Sequence, residues 1–252
     1  MNRHTGLFWA FAVLLFCSFA GGGDSFRNEQ MKAPKVRLAY QEKWPVLKTR
    51  LNDMHIDTHA FSIFIRGFKK EKKLEVWVRS NTDASFRLFS SYDICSSSGT
   101  PGPKRREGDG QVPEGFYKLS VFNPYSNYYV SLGLSYPNQS DRILGHKNEL
   151  GGAIMIHGNC VTIGCIPLTD DKIKEVYVLA AEARNAGQKD ISIHLFPAVL
   201  SPSNLADLES QFAAEPALIA FWKNLKSGYD YFEQKRKLPE VKVATNGTYE
   251  FR

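Results

Sequence analysis

The stretch Ala153-Ile154-Met155-Ile156-His157-Gly158-Asn159-Cys160-Val161-Thr162-Ile163-Gly164-Cys165-Ile166-Pro167 is the one around which the chain is read. An apolar, strand-like run ends in a histidine. Eight residues later a cysteine stands between Gly164 and Ile166. A free thiol has a pKa of about 8.5, so little of it is thiolate at neutral pH. An imidazole within hydrogen-bond reach can take that proton and later return it, which is the minimum apparatus of nucleophilic acyl transfer. Cys165 is therefore the candidate nucleophile and His157 the candidate base. Gly158, Thr162 and Gly164 are the candidate oxyanion and substrate-binding residues: Gly164 lets a substrate carbonyl approach the backbone beside the sulfur, the Cys165 amide with a neighbouring loop amide could supply an oxyanion hole, and Thr162 could orient the loop or donate a hydrogen bond to substrate. Two other readings compete on spacing alone. Buried cysteines often serve as small hydrophobes. His146, His157, Cys160 and Cys165 could also be four zinc ligands, although their spacing matches no common zinc pattern.

The whole chain has 252 residues, 43% apolar and 23% charged, with a formal charge of +6. That composition belongs to a globular protein and argues against wholesale disorder. Residues 1–20 stand apart. Arg3 precedes an apolar run from Leu7 to Phe16, and Ser18-Phe19-Ala20 offers small residues where a signal peptidase reads. The expectation is a signal peptide cut after Ala20. A retained anchor and lipidation at Cys17 are the weaker options, the latter because Phe16 precedes the cysteine. A mildly basic exported protein is drawn to anionic polymers and membrane surfaces. Lys69, Lys70, Lys72 and Lys73 cluster, yet no aromatic platform accompanies them, so they read as a hairpin tip rather than a nucleic-acid site. Export leaves Cys95, Cys160 and Cys165 in an oxidising compartment. A Cys95–Cys160 bridge would leave Cys165 free, a Cys160–Cys165 bridge would occupy it, and no bridge at all is a third state.

Residues 21–34 are glycine-rich, then polar, and read as a flexible lead. Val36, Tyr40, Leu47 and Leu51 recur at helical spacing, with Pro45 placed to kink that helix. Alternation at Phe61, Ile63 and Ile65, and at Leu74, Val76 and Val78, predicts a hairpin, with a third strand towards Ile94. Glycines and prolines across 96–115 preclude regular structure, and a loop that long inside a domain is often functional. Strands resume at 116–122 and 128–134, and a turn-rich polar segment fills 136–152. Thr169, Asp170 and Asp171 predict a helix start, with a capping hydroxyl and acids that suit the dipole. A strand follows at 191–195. Residues 201–252 read as a helical tail whose aromatic residues pack on the main body.

At this point the chain resembles a known family. His157-Gly158 followed by Thr162-Ile163-Gly164-Cys165 resembles the L,D-transpeptidase catalytic domain, the YkuD family. The short loop carrying Cys160 is similar to that of its YafK-type branch. Gly102-Pro103-Lys104, Glu107-Gly108-Asp109-Gly110-Gln111 and Pro113-Glu114-Gly115 resemble the family's approach loop. Phe221-Trp222-Lys223-Asn224-Leu225 and Gly228-Tyr229-Asp230-Tyr231-Phe232 resemble its C-terminal segment. The resemblance covers roughly residues 35–245, dividing the chain into a catalytic domain at 35–200 and a C-terminal extension at 201–252. It implies an α+β fold, β-rich, with a mixed sheet and flanking helices. It also implies an exported enzyme that needs no cofactor. Cys165 would attack a peptidoglycan stem at the L-centre of meso-diaminopimelate, forming a thioester that passes to an amine or to water. The branch includes an amidase that releases protein linked to diaminopimelate, so a wall-linked lipoprotein is an implied partner. A catalytically silent wall-binding module is the alternative of another class. The chain departs from the family pattern at Ile163, where many members carry histidine, and at Pro167, where many carry arginine. Loss of a cation there leaves open how a substrate carboxylate is held; Arg105, Arg106 and Arg142 are the candidates to substitute, and nothing in the sequence selects one.

Overall fold

Strand β1 (Phe61–Phe68) is the strand on which both layers of the molecule are built. The computed structural model describes residues 25–252. The expected signal peptide, Cys17 and the first residues of the lead lie outside the described residues. β1 pairs antiparallel with β2 (Lys73–Ser80), which pairs antiparallel with β3 (Arg87–Asp93). On its other side β1 runs parallel to β8 (Ser192–Phe196). From β8 the sheet continues through β4 (Gly115–Asn123), β5 (Ser131–Leu134), β6 (Met155–His157) and β7 (Ile166–Pro167). The result is one mixed sheet of eight strands in the order β3-β2-β1-β8-β4-β5-β6-β7. With its flanking helices it is the α+β, β-rich architecture that the resemblance implied.

Both faces of β1 are buried, each by a different layer. Ile63 and Ile65 join a core with Val36, Leu47 and Leu51 of α2 (Pro34–Asp53) and Val176 and Leu179 of α4 (Asp170–Asn185). Pro45 lies within α2, which runs unbroken through it. Thr169 caps α4 by accepting from the Lys172 amide, and Asp170 and Asp171 fill the first turn, as the sequence predicts. Phe64 and Phe68 turn the other way, towards Phe232 and Tyr229 of α6 (Pro216–Lys235) at ring-centroid distances of 4.8 and 6.3 Å. Arg66 lies between them, 4% exposed, and donates to Glu75 and Glu233 at 2.9 and 2.6 Å. A guanidinium at that depth is tolerated because two carboxylates and the surrounding aromatic faces replace its water.

Three expectations are corrected. The lead read as flexible forms α1 (Phe26–Met31), capped by Ser25, with Phe26 edge-on to Phe122 at 4.8 Å. The turn-rich segment contains α3 (Gln139–Leu144), started by a capping box between Asn138 and Asp141. The tail carries α5 (Pro202–Gln211) and α6, then a hairpin of β9 (Val241–Val243) and β10 (Tyr249–Phe251), so it is not all helical. No helix among the described residues is long and apolar enough to cross a membrane.

Candidate active site

His157 is the last residue of β6, and Cys165 immediately precedes β7. The two strands are parallel, with Ile156 opposite Ile166 and His157 opposite Pro167. A connection this short between adjacent parallel strands brings its end back beside its start, which places the cysteine next to the histidine strand. Cys165 and His157 accordingly line one cavity of about 230 Å³, together with Tyr128, Ser131, Ala153 and Met155. His157 is 2% exposed. Its Nδ1 lies 2.5 Å from the Gly158 carbonyl oxygen. A carbonyl only accepts, so Nδ1 carries the proton and Nε2 is the basic nitrogen. The Tyr128 ring packs on the imidazole with centroids 4.8 Å apart.

Burial lowers the His157 pKa, opposed by the bond to Gly158. Burial likewise raises the Cys165 thiol, opposed by the Met155 amide and the positive charge of Lys104. Both shifts favour the uncharged forms, so the resting pair is thiol and neutral imidazole rather than an ion pair. In that state the Cys165 thiol donates to the Ala153 carbonyl at 3.7 Å.

The loop between the two residues is held by its own polar atoms. Thr162 Oγ1 donates to the Cys165 carbonyl at 2.8 Å and accepts from the Gly164 amide at 3.1 Å. Gly164 has φ +137°, and a Cβ there would stand 3.0 Å from the Gln111 carbonyl oxygen, so the loop 96–114 needs glycine to pass this close. The Gly158 amide donates to the Tyr128 carbonyl at 2.9 Å. The amides of Gly158 and Gly164 thus both have acceptors, which leaves the Cys165 amide as the remaining oxyanion candidate of the set. Thr162 acts on the loop, the first of the two roles open to it.

Cys95 and Cys160 form a disulfide across 65 residues, which leaves Cys165 as the free thiol among the described residues. The bond removes Cys160 from any zinc set, so the four-ligand reading is withdrawn. It also ties the exit of β3 to the catalytic loop, beside a backbone bond from Cys95 to the Pro167 carbonyl at 3.1 Å. Closing a loop of that length stabilises by about 4 kcal/mol in the chain-entropy account, with 2–4 kcal/mol typical of measured cases. The double variant Cys95→Ser/Cys160→Ser is expected to melt about 5–12 °C lower. An unchanged melting temperature in circular dichroism would show that the bond does not hold the fold.

None of the three candidate arginines lines either of the two cavities beside Cys165. Arg105 pairs with Asp141 at 3.3 Å and lies over Phe221 at 4.9 Å, in a groove that Cys165 does not line. Arg106 and Arg142 line neither cavity that contains Cys165. Burial pushes the Asp141 carboxyl up to about 6, even with Arg105 opposing it. Lys104, 5% exposed, donates to Asp109 at 2.7 Å and to the Arg106 carbonyl at 2.8 Å. Asp109 also accepts from the amides of Arg105, Arg106 and Gln111, at 2.9, 3.0 and 3.0 Å. This closes the loop on itself and fixes a positive charge near the sulfur. Tyr128 was not singled out in the sequence, because no motif marks an aromatic residue brought to His157 by strand pairing.

Comparison with known proteins identifies the family of the chain. The family model for the L,D-transpeptidase catalytic domain, YkuD, matches residues 62–187. The YafK proteins of Escherichia coli K12 and O157:H7 are each 37% identical over 189 residues, covering 74% of this chain and 72% of theirs. Among solved structures, the helical cell shape determining protein Pgp2 of Campylobacter jejuni aligns with a TM-score of 0.44 at 17% identity, covering 79% of this chain and 80% of that one. Bd1075 of Bdellovibrio bacteriovorus aligns with a TM-score of 0.39 at 21% identity, over 73% of this chain and 75% of that one. The chain belongs to the YkuD family of L,D-transpeptidase catalytic domains.

Proposed function

We propose that this protein is an exported cysteine acyltransferase or hydrolase that acts on peptidoglycan stem peptides through a thioester on Cys165. The observation that carries the reading is the shared cavity of a free thiol and a buried, neutral imidazole whose Nε2 is basic. Catalytic hydrogen bonds often tighten only when substrate binds, so the resting aim of the thiol at Ala153 is compatible with transfer to His157. The sulfur attacks the carbonyl at the L-centre of meso-diaminopimelate as Nε2 takes its proton. The C–N bond then breaks, and His157 returns the proton to the leaving amine. An incoming amine or a water loses a proton to His157 and attacks the thioester, and the thiolate leaves and is reprotonated. The Cys165 amide is the donor proposed for the oxyanion.

Transfer and hydrolysis share the first half of this sequence and diverge at the thioester. Incubation with defined disaccharide-tetrapeptides and with protein-linked peptidoglycan separates them. New cross-links or exchanged terminal amino acids mark transfer. Release of D-alanine, or of a wall-linked lipoprotein, without a new bond marks hydrolysis by carboxypeptidase or amidase action. Either outcome is expected to vanish in Cys165→Ala. A folded protein that yields no product and no acyl adduct with any of these substrates would instead be a silent wall-binding module.

A further inference from the structure

A second cavity, of about 250 Å³, shares only Cys165 with the cavity that holds His157. We propose that Lys72, in the turn between β1 and β2, binds a substrate carboxylate in this second cavity. The proposal rests on the peptidoglycan reading and deepens it.

The turn is pinned beside the thiol by backbone hydrogen bonds and a neighbouring disulfide. The Lys72 amide donates to the Lys69 carbonyl at 3.2 Å, and its own carbonyl accepts from Ile94 at 2.8 Å. The next residue, Cys95, is bonded to Cys160 and to the Pro167 carbonyl. Lys72 therefore leaves the chain from a point fixed to the loop that carries Cys165.

Three lysines line the cavity, and two are already committed. Lys69 pairs with the buried Glu114 at 2.9 Å and donates to the Gly102 and Val112 carbonyls at 2.7 and 3.1 Å. Lys70 donates to Asn204 at 3.1 Å and lies 3.8 Å from Asp207. The exposed Lys72 ammonium has no acidic or carbonyl partner among the described residues. No carboxylate lines the cavity, so nothing there opposes a bound anion. A second observation points the same way. Ser98 lines the cavity, and its buried Oγ has no hydrogen-bond partner among the described residues. Unpaired polar atoms of this kind call for a partner, and a ligand oxygen is one. Apolar walls from Ile94, Val112 and Ile166 complete a site of mixed character.

The volume suits one amino-acid residue rather than a disaccharide. A stem tetrapeptide brings three carboxylates within reach of the site: the α-carboxylate of the γ-linked D-glutamate, that of the D-centre of diaminopimelate and that of the terminal D-alanine. The test uses the full chain in a Cys165→Ala background, with Kd measured by calorimetry. The ligands are the tetrapeptide L-Ala-γ-D-Glu-meso-diaminopimelate-D-Ala and its three singly amidated forms. Lys72→Ala is expected to weaken the free-acid peptide about tenfold, and Lys72→Arg to restore most of that loss. Amidation of the carboxylate that Lys72 holds should make Lys72→Ala silent, and the silent peptide identifies the group. Equal affinity of parent and Lys72→Ala, or the same loss for all four peptides, would overturn the proposal while leaving the peptidoglycan reading in place. Failure of the parent to bind any of them would remove that reading and this proposal together.

Discussion

Cys165→Ala is expected to show no mass increase with a carbapenem, and His157→Gln to acylate about a thousandfold more slowly than the wild type. A positioned general base contributes roughly 10²–10⁴-fold. The upper half of that range applies here because burial raises the Cys165 thiol, so the sulfur depends on a partner to lose its proton. The pH dependence separates this from an ion-pair mechanism. Iodoacetamide reacts with thiolate alone. With the thiol pKa raised, alkylation of Cys165 should climb only above the ordinary thiol value of about 8.5. With the imidazole pKa lowered, neutral His157 persists below the ordinary histidine value of about 6.5, so acylation should stay near its plateau through neutral pH and fall on the acid side of that value. His157→Gln should strip acylation and leave the alkylation curve nearly where it was. Stopped-flow acylation and timed alkylation read by intact mass give both curves. An alkylation plateau reaching down to pH 5 would mean a thiolate–imidazolium pair, and the resting state described above would be wrong.

The candidate pair, Cys165 and His157, could be picked out because its signal is local: a strand end, a short loop and two reactive side chains. The positions of Thr162 and Thr169 were legible for the same reason, since loop and capping chemistry act within a few residues. Asn138 was not read as a cap, although a capping box was present in the sequence, because the polar segment around it gave no apolar period to start from. What depends on distant partners was hidden. The disulfide required knowing that the exit of β3 lies beside β7, a contact across 65 residues. Alternation in β1 correctly placed Ile63 and Ile65 inward. It could not show that Phe64 and Arg66 are buried too, because the layer covering them comes from α6, more than a hundred residues later. Lys72 had the composition of a solvated hairpin tip, and it is one. Only the fold brings that tip to the wall of a cavity shared with Cys165. Charge alone could not rank the three arginines: Arg105 is paired with Asp141 and lies over Phe221, and Arg106 and Arg142 line neither cavity beside the thiol.

Glu114→Ala is the structural change with the largest expected effect. The Glu114 carboxylate is fully buried and holds three elements at once. It accepts from the Gly102 amide at 2.8 Å, from Trp222 Nε1 of α6 at 2.8 Å, and pairs with Lys69 of the β1–β2 turn at 2.9 Å. Alanine at this position leaves a buried ammonium without its counter-charge and two buried N–H groups without acceptors. Breaking a buried ion pair from one side costs about 3–5 kcal/mol. For a chain of this size that corresponds to a melting temperature lower by roughly 6–20 °C. Glu114→Gln keeps an acceptor for one N–H but not the charge, so it should fall between alanine and wild type. Adding Lys69→Met to Glu114→Gln removes the stranded ammonium and should recover part of the loss. A double variant no better than Glu114→Gln would place the cost in the hydrogen bonds to Gly102 and Trp222 rather than in the charge. The same carboxylate fixes the segment from Gly102 to Glu114, whose Gln111 carbonyl packs against Gly164 and whose Val112 lines the cavity of Lys72. Loss of Glu114 should therefore slow acylation of Cys165 even below the melting transition, with His157 intact. Acylation at wild-type rate in a folded Glu114→Ala protein would show that the loop is positioned by Asp109 and Lys104 alone.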